Sequence, residues 1–412
     1  MSLLPLHVVV LLVLTLGYTD GLDNGVALTP PLGWDTWCTQ GPCGRDWCSS
    51  EEVTSATDSI VANGMKTAGY QYVIISDCWA DHRDTTGTLV ADISRFPNGI
   101  KPVCDYVHSK ELKCGIYTDL GEYTCSTGGR SHKIPGSYGH YEQDAHTFAS
   151  WGIDFVKADF CNTPSNDKDP HQLYKEFSDA LNKTGRPILF NACEWGLDDP
   201  WKFMGKIANT WRTGPDHHDE WSSTAPIIEH NANLWTYADP GAWNDADFLM
   251  TGGQGCADFA VGHRCPGQTD DEYQTSFSLW CIMASQIVIA TDVRNMSDTQ
   301  KRILLNEEML AVHQDKLARA GGRVGFGNCS EGPNVCQIWL RNVTDGVVIA
   351  TYNSGKQAHN ITFNATRVAN LNVSAMKIRD LWLHTDLGSF NGSFTAKAVP
   401  PHGTKVYKLT KA

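Results

Sequence analysis

Beyond residue 21 the sequence has no apolar run approaching the roughly 20 residues that a membrane-crossing helix needs. It has no basic stretch either: 33 Lys and Arg are scattered among 46 Asp and Glu, for a net charge of −13. That balance argues against nucleic acid or an anionic membrane as a partner. The 15 histidines fall without metal-ligand spacing, so neither a metal nor a cofactor is expected. Internal repeats and low-complexity tracts are missing too. What remains is a soluble globular chain, and 412 residues suffice for one large domain and a smaller one.

The first residues point to export. Val8 to Leu16 is an apolar run broken only by Thr15 and followed by Thr19, Asp20 and Gly21. It is too short to span a bilayer and stands where the core of a signal peptide stands, so residues 1–21 are expected to be removed. Glycosylation sequons at Asn182, Asn295, Asn328, Asn342, Asn360, Asn364, Asn372 and Asn391 matter only in a glycosylating lumen. The 14 cysteines, several of them in short polar segments, suit disulfides. A secreted or lysosomal protein is expected.

Eight short apolar runs read as buried parallel strands: Pro31–Trp37, Gln71–Asp77, Lys113–Asp119, Gly152–Asp159, Pro187–Cys193, Ile207–Arg212, Trp243–Phe248 and Gln286–Asp292. Helix-capable stretches such as Ser50–Ala68, Val103–Lys110, His140–Trp151 and Asp169–Leu181 lie between them. This alternation predicts an α/β fold, a (β/α)8 barrel of the TIM type over residues 22–319. The run ends hold Asp35, Trp37, Asp77, Asp119, Asp159, Glu194, Arg212, Asp245, Asp247 and Asp292, and in a barrel such ends converge on the catalytic face. From about Ala320 the pattern changes to short β-prone segments (Gln337–Arg341, Gly346–Tyr352, Ala358–Phe363, Met376–Asp380, Lys405–Leu409). Residues 320–412 are therefore expected to form a C-terminal antiparallel β-sandwich domain, which holds six of the eight sequons.

Carboxylates and aromatics gathered at a barrel mouth suit sugar chemistry, which needs two carboxyl groups about the scissile bond and an aromatic floor. Five segments carry a specific resemblance: Thr29–Trp37 (TPPLGWDTW), Asp77–Trp79 (DCW), Phe96–Gly99 with Tyr106–Ser109 (FPNG, YVHS), Gly115–Asp119 (GIYTD) and Gly241–Leu249 (GAWNDADFL). Together they resemble the α-galactosidases and α-N-acetylgalactosaminidases of glycoside hydrolase family 27, from Leu22 through Lys316. The resemblance implies a retaining exo-glycosidase acting on terminal α-D-galactosyl residues by double displacement, with a carbohydrate as its partner and a monomer or homodimer as its state.

The family's nucleophile maps to Asp159 in Val156–Cys161 (VKADFC), where Lys157 favours the ionised carboxylate. The bland alternative is an Asp capping the next helix. The acid/base maps to Asp216 in Trp211–Asp216 (WRTGPD), which should be desolvated and raised in pKa. A charged His217 or His218 would oppose that elevation, and Asp219 is a rival acid. Trp37, Ser76, Asp77, Tyr117, Lys157, Glu194, Trp195, Arg212 and Asp247 match sugar-binding positions, with Asp119 and Asp245 behind them. Trp79 and Trp195 wall the pocket; Trp151, Trp201, Trp221, Trp235, Trp280 and Trp339 read as packing. Glu194 fills the space an N-acetyl group would need and so favours galactose. Ser76 stands where the α-galactosidases usually place an Asp, which raises β-L-arabinopyranosides, lacking C6, as an alternative substrate. A catalytically silent, lectin-like protein would have lost a carboxylate, and both are present.

The resemblance also implies disulfides Cys38–Cys78 and Cys125–Cys161, with Cys43–Cys48 as a local staple; Cys256–Cys265 in an extra loop after the seventh run and Cys329–Cys336 at a turn opening the β-domain are expected to pair as well. Cys104, Cys114, Cys193 and Cys281 sit in apolar runs and read as buried thiols.

Overall fold

The computed structural model describes residues 22–37, 48–77, 79–125, 133–164, 169–253, 257–258, 263–327, 329–365 and 375–412. The expected signal segment 1–21 lies outside them, as do Cys38, Cys43, Cys78, Cys256, Asn328 and Asn372.

Eight parallel strands form the first sheet: β1 (Leu32–Asp35), β2 (Tyr72–Ile75), β3 (Lys113–Asp119), β4 (Phe155–Asp159), β5 (Leu189–Cys193), β6 (Thr210–Arg212), β7 (Trp243–Asp245) and β8 (Ile287–Ile289). Each falls within one of the eight apolar runs. They are hydrogen-bonded in chain order, and β8 pairs with β1. The last gap, between β7 and β8, is bridged by Leu249, whose amide donates to the Val288 carbonyl at 2.9 Å while its own carbonyl accepts from Ala290 at 3.1 Å. The sheet thus closes into a barrel.

Helices α1 (Ser50–Ala62), α2 (Lys101–Ser109), α3 (Tyr141–Ser150), α4 (Pro170–Lys183), α5 (Trp221–Asn231) and α6 (Asp270–Met283) fill the crossovers. Between β5 and β6 two 3-10 turns, Pro200–Lys202 and Met204–Lys206, stand where a helix is expected. Local chemistry sets the helix starts. Ser49 caps α1 by accepting the Glu52 amide, Asp169 caps α4 ahead of Pro170, and Thr269 and Glu272 form a reciprocal capping box on α6.

Alternation along the strands builds two cores from one sheet. Tyr72, Ile74, Phe155, Leu189, Phe248, Met250 and Val288 plug the barrel interior. Their neighbours Val73, Ile75, Val156, Phe190 and Ile289 face the helices. Burial on both faces explains why the runs read as continuously apolar. Gly115 makes the plug possible, because a Cβ there would lie 2.7 Å from Ile74 Cγ1 and 3.2 Å from Phe155 Cβ.

Among the described residues the C-terminal region holds eight strands: β9 (Gly322–Phe326), β10 (Cys336–Val343), β11 (Gly346–Asn353), β12 (His359–Asn364), β13 (Met376–Asp380), β14 (Thr385–Phe390), β15 (Ser393–Val399) and β16 (Thr404–Lys411). Six form an antiparallel sheet in the order β9-β10-β11-β16-β13-β14, and β12 pairs with β15 opposite it. Ile338, Ile349 and Leu409 pack against Ile361, Phe363 and Ala396 between these layers. From the other face of the larger sheet, Trp339, Val348, Ala350 and Val406 join the barrel's outer core. Three strands, β9, β14 and β15, have no counterpart in the sequence reading. β14 is exposed over nearly its whole length, so no buried face marks it.

Cys125–Cys161 and Cys329–Cys336 are disulfides, and Cys48 and Cys265 are also disulfide-bonded. Cys193 and Cys281 are free and buried. The expectation of thiols at Cys104 and Cys114 is overturned: they form a disulfide between α2 and β3, with Cα atoms 5.2 Å apart. Apolar surroundings suit a bridged pair as well as a thiol, and the tight turn from helix to strand brings the two together. Asn182, Asn295, Asn342, Asn360 and Asn391 are exposed, and Asn364 is half-buried.

Candidate active site

Above the apolar plug the inward positions become polar. Lys157 and Asp159 lie two residues apart on β4 and so share its inward face, while Tyr117 faces them from β3. The Tyr117 hydroxyl donates to Asp159 Oδ2 at 2.7 Å. Asp159 Oδ1 is buried with no hydrogen-bond partner among the described residues, and Lys157 Nζ stands 3.9 Å from it. Lys157 also lies over the Phe248 ring, 4.9 Å from its centroid. Burial alone would strip its proton, but the opposing charge of Asp159 outweighs that and raises its pKa. Asp159 caps nothing: the following helix takes its cap from Asp169.

Arg212 ends β6 almost wholly buried. It reaches Asp216 Oδ1 at 3.0 Å and Asp247 Oδ2 at 2.9 Å, and its Nη1 lies 3.6 Å from Cys193 Sγ. Asp247 has a backbone φ of 77°, rare for a residue with a side chain, and its carboxylate also accepts the His217 amide at 2.7 Å. The field of Lys157 acts on Asp216 as well as on Asp159, so both carboxyls share one electrostatic site.

Asp216 departs from expectation. Its side chain is 65 % exposed. Desolvation pushes its pKa up, but the guanidinium of Arg212 and the ammonium of Lys157 outweigh it, so the pKa is lowered in the free protein. His217 departs too. It is buried, its Nδ1 faces the Phe248 carbonyl at 2.6 Å, and its Nε2 faces the Thr224 hydroxyl at 2.7 Å. Burial lowers its pKa, which favours the neutral imidazole, with Nδ1–H donating to the Phe248 carbonyl, over a charge beside Asp216. The histidine that acts on Asp216 is His218. Asp219 points elsewhere, its carboxylate taking the Tyr273 hydroxyl at 2.8 Å.

Asp119 and Asp245 are occupied by their own surroundings. Asp119 accepts the amides of Gly121 at 2.7 Å and Cys161 at 3.0 Å, pinning the ends of β3 and β4. Asp245 takes Asn191, Gln286 and the Asp247 amide at 2.9, 3.1 and 2.9 Å. Ser76 and Asp77 are buried at the end of β2, and Trp37 is half-buried past the end of β1, packed against the barrel-interior cluster. Glu194 is buried, with Oε2 accepting the Asp198 amide at 3.1 Å and Oε1 unpartnered among the described residues; burial raises its pKa to about 7. Trp195 is half-buried in a left-handed turn, φ 56°, which passes close to Thr213. Trp79 belongs to the outer core and not to the pocket wall. Its indole donates to the Tyr117 carbonyl at 2.9 Å and its ring packs edge-on against Trp151 and Phe148.

The sequence reading assigned Asp35 no role, although it noted it among the run-end acids. Its Oδ1 accepts the Trp37 amide at 2.6 Å, and the Ser76 hydroxyl bonds to the same carboxyl.

The profile of the alpha galactosidase A (melibiase) family matches residues 29–315, and that of the alpha galactosidase C-terminal beta sandwich domain matches residues 334–409. The chain belongs to the alpha galactosidase A family, glycoside hydrolase family 27. It is similar to alpha-galactosidase 2 of Arabidopsis thaliana, 38% identical over 95% of this chain and 91% of that one. It is likewise similar to alpha-galactosidase A of Cellvibrio japonicus, 43% identical over 71% of this chain and 69% of the other. The crystal structure of alpha-galactosidase I from Mortierella vinacea superposes with a TM-score of 0.84 at 31% identity, covering 95% of this chain and 99% of that one. Like these relatives, this family member is built as a glycosidase, with a barrel and an appended β-sandwich.

Proposed function

We propose that the protein hydrolyses terminal α-D-galactosides with retention, Asp159 acting as nucleophile and Asp216 as acid/base. One observation carries the roles. Asp159 has one oxygen fixed by Tyr117 and the other unpartnered beside Lys157, while Asp216 stands exposed on Arg212 in the same field. Asp159 attacks the anomeric carbon as the glycosidic C–O bond breaks, and Asp216 gives its proton to the leaving oxygen. In the second half Asp216 takes a proton from water, whose oxygen attacks the anomeric carbon and releases Asp159. Both half-reactions require the two carboxyls to stand about 5–5.5 Å apart.

The lowered pKa of Asp216 in the open site gives it a carboxylate's readiness to act as base. A seated sugar covers that exposed side chain, and loss of water raises its pKa towards the acid form that the first step needs. Activity should therefore lie at acid pH and fall as the pH rises through the pKa of Asp216. Trp37, Ser76, Asp77, Tyr117, Lys157, Glu194, Trp195, Arg212 and Asp247 are assigned to the sugar, within a catalytic barrel over residues 22–319 and a β-sandwich over 320–412. We further assign export to a secreted or lysosomal location, with glycans on the exposed sequons.

A second reading, β-L-arabinopyranoside hydrolysis, draws on the neutral Ser76 at the corner between β1 and β2. The test is nitrophenol release by the purified protein from 4-nitrophenyl α-D-galactopyranoside and β-L-arabinopyranoside, with Asp159→Asn as control. Faster release from the galactoside is expected, with the α-anomer of galactose formed first by NMR. No release from either, or release unaffected in the control, sinks the reading.

A further inference from the structure

Asp35 stands outside the roles assigned so far, yet it touches two of the residues that hold them. It closes β1 with only 1% of its surface exposed. Its Oδ1 accepts the Trp37 amide at 2.6 Å, and the Ser76 hydroxyl, from the end of the neighbouring strand, bonds to the same carboxyl. Thr36 stitches these strand ends again: its amide donates to the Ile74 carbonyl at 3.1 Å and its hydroxyl oxygen accepts the Ser76 amide at 2.9 Å. The charged groups facing Asp35 are Lys157 from β4 and Asp247 from beyond β7. A carboxyl taken this far out of water is costly unless its hydrogen bonds fix something. Here they fix the aromatic side of the pocket and its hydroxyl side together.

We propose that Asp35 is a specificity-determining positioning residue, which sets the Trp37 backbone and the Ser76 hydroxyl in a single geometry and thereby builds the corner that receives the C6 end of a hexose. The inference rests on the galactosidase reading. Ionised, Asp35 accepts a hydrogen bond from the Ser76 hydroxyl and leaves that oxygen's lone pairs to accept from a sugar hydroxyl. Protonated, it donates to Ser76 instead, whose own proton then turns to the sugar. Burial pushes the pKa of Asp35 up to about 7, so the exchange falls near neutrality. A second acid at position 76 would put two buried like charges within hydrogen-bond reach.

The test is a double-mutant cycle of Asp35→Asn, Ser76→Asp and the double variant. Each is assayed on the α-galactoside and the β-L-arabinopyranoside from pH 4 to 8, alongside thermal melts. Each single variant should raise KM for the galactoside about tenfold, the worth of one well-placed hydrogen bond, with kcat within about threefold. The arabinopyranoside should change less than about threefold, having no C6. The double variant should return to within about threefold of wild type, and Asp35→Asn should lose any inflection of galactoside KM near pH 7. Strict additivity of the two substitutions, or equal losses on both glycosides, overturns the proposal. Should Asp35→Asn fail to fold, Ser76→Ala decides instead: it must raise KM for the galactoside and spare the arabinopyranoside. Wild-type inactivity on both glycosides would sink the galactosidase reading, whereas an active wild type with an unaffected Asp35→Asn sinks only this one.

Discussion

The barrel mouth and the β-sandwich interior are built by the same alternation of side chains, and they end up opposite in character. Between the layers of the sandwich the inward positions are Ile338, Ile349, Phe363, Ala396 and Leu409, apolar throughout. At the barrel mouth they are Asp35, Tyr117, Asp159, Arg212 and Asp247, buried, and Lys157, half-buried, all charged or polar. The sandwich holds itself together, whereas the mouth is held by the plug beneath it. Paired buried charges contribute little to stability, and a buried oxygen without a partner detracts from it. Asp159 Oδ1 and Glu194 Oε1 are such oxygens. The contrast teaches that the mouth is organised for a ligand at the expense of its own stability.

Substituting across that divide should separate activity from stability. Asp159→Asn should lower kcat by about 10⁴-fold, the scale of losing a nucleophile, while leaving the melting temperature unchanged or raised. A melting temperature that falls with the activity would break the comparison, since the carboxylate would then be structural. Leu409→Ala should do the reverse. It opens a cavity in the sandwich core, where Leu409 pairs with Val347 and Ile378 on the flanking strands, and should cost about 2–5 kcal/mol in a denaturant titration, with kcat/KM per folded molecule unchanged. Arg341 sharpens the case, being a buried cation away from the mouth. It donates to the Cys281 and His313 carbonyls across the seam between barrel and sandwich, and burial lowers its pKa to about 10. Arg341→Met should cost about 1–3 kcal/mol for the carbonyls it strands, with the pH–rate profile intact.

The legibility of the sequence follows the same divide. Strands buried on both faces, such as Tyr72–Ile75 and Phe155–Asp159, leave continuous apolar runs, and all eight were readable. Thr385–Phe390 buries almost nothing and left no trace. Asp159 and Asp216 could be singled out as candidates because motifs around them match a family, but their ionisation could not be read. The state of Asp216 depends on how Arg212 and Lys157 reach it from other strands. His217 shows the same limit: adjacency to Asp216 in sequence suggested a charge, and the fold turned its ring into a buried cleft beside Trp280. The Cys104–Cys114 bridge was missed because composition alone does not separate a buried thiol from a buried disulfide.

The two adjacent histidines offer the finest distinction between structural and functional charge. His217→Ile strands the Phe248 carbonyl, while the Thr224 hydroxyl keeps Gln268 and Glu220, and should cost about 1–3 kcal/mol. It should also change how stability depends on pH. The folded pKa of His217 lies below its ordinary 6.5, so wild type has the full contribution above that pH and loses it as the pH falls towards the lowered value. The Ile variant should lack this acid-side decline, and its pH–rate profile should match wild type. His218→Gln should behave the other way about. His218 is half-buried and its positive charge helps to hold the pKa of Asp216 down. Removing that charge lets the pKa rise, so the acid form persists to higher pH and the basic limb of kcat/KM moves up by about 0.2–0.5, the reach of one partly screened charge. Stability should barely change. A displaced limb in His217→Ile with none in His218→Gln would reverse the assignment and restore the charge to the buried ring.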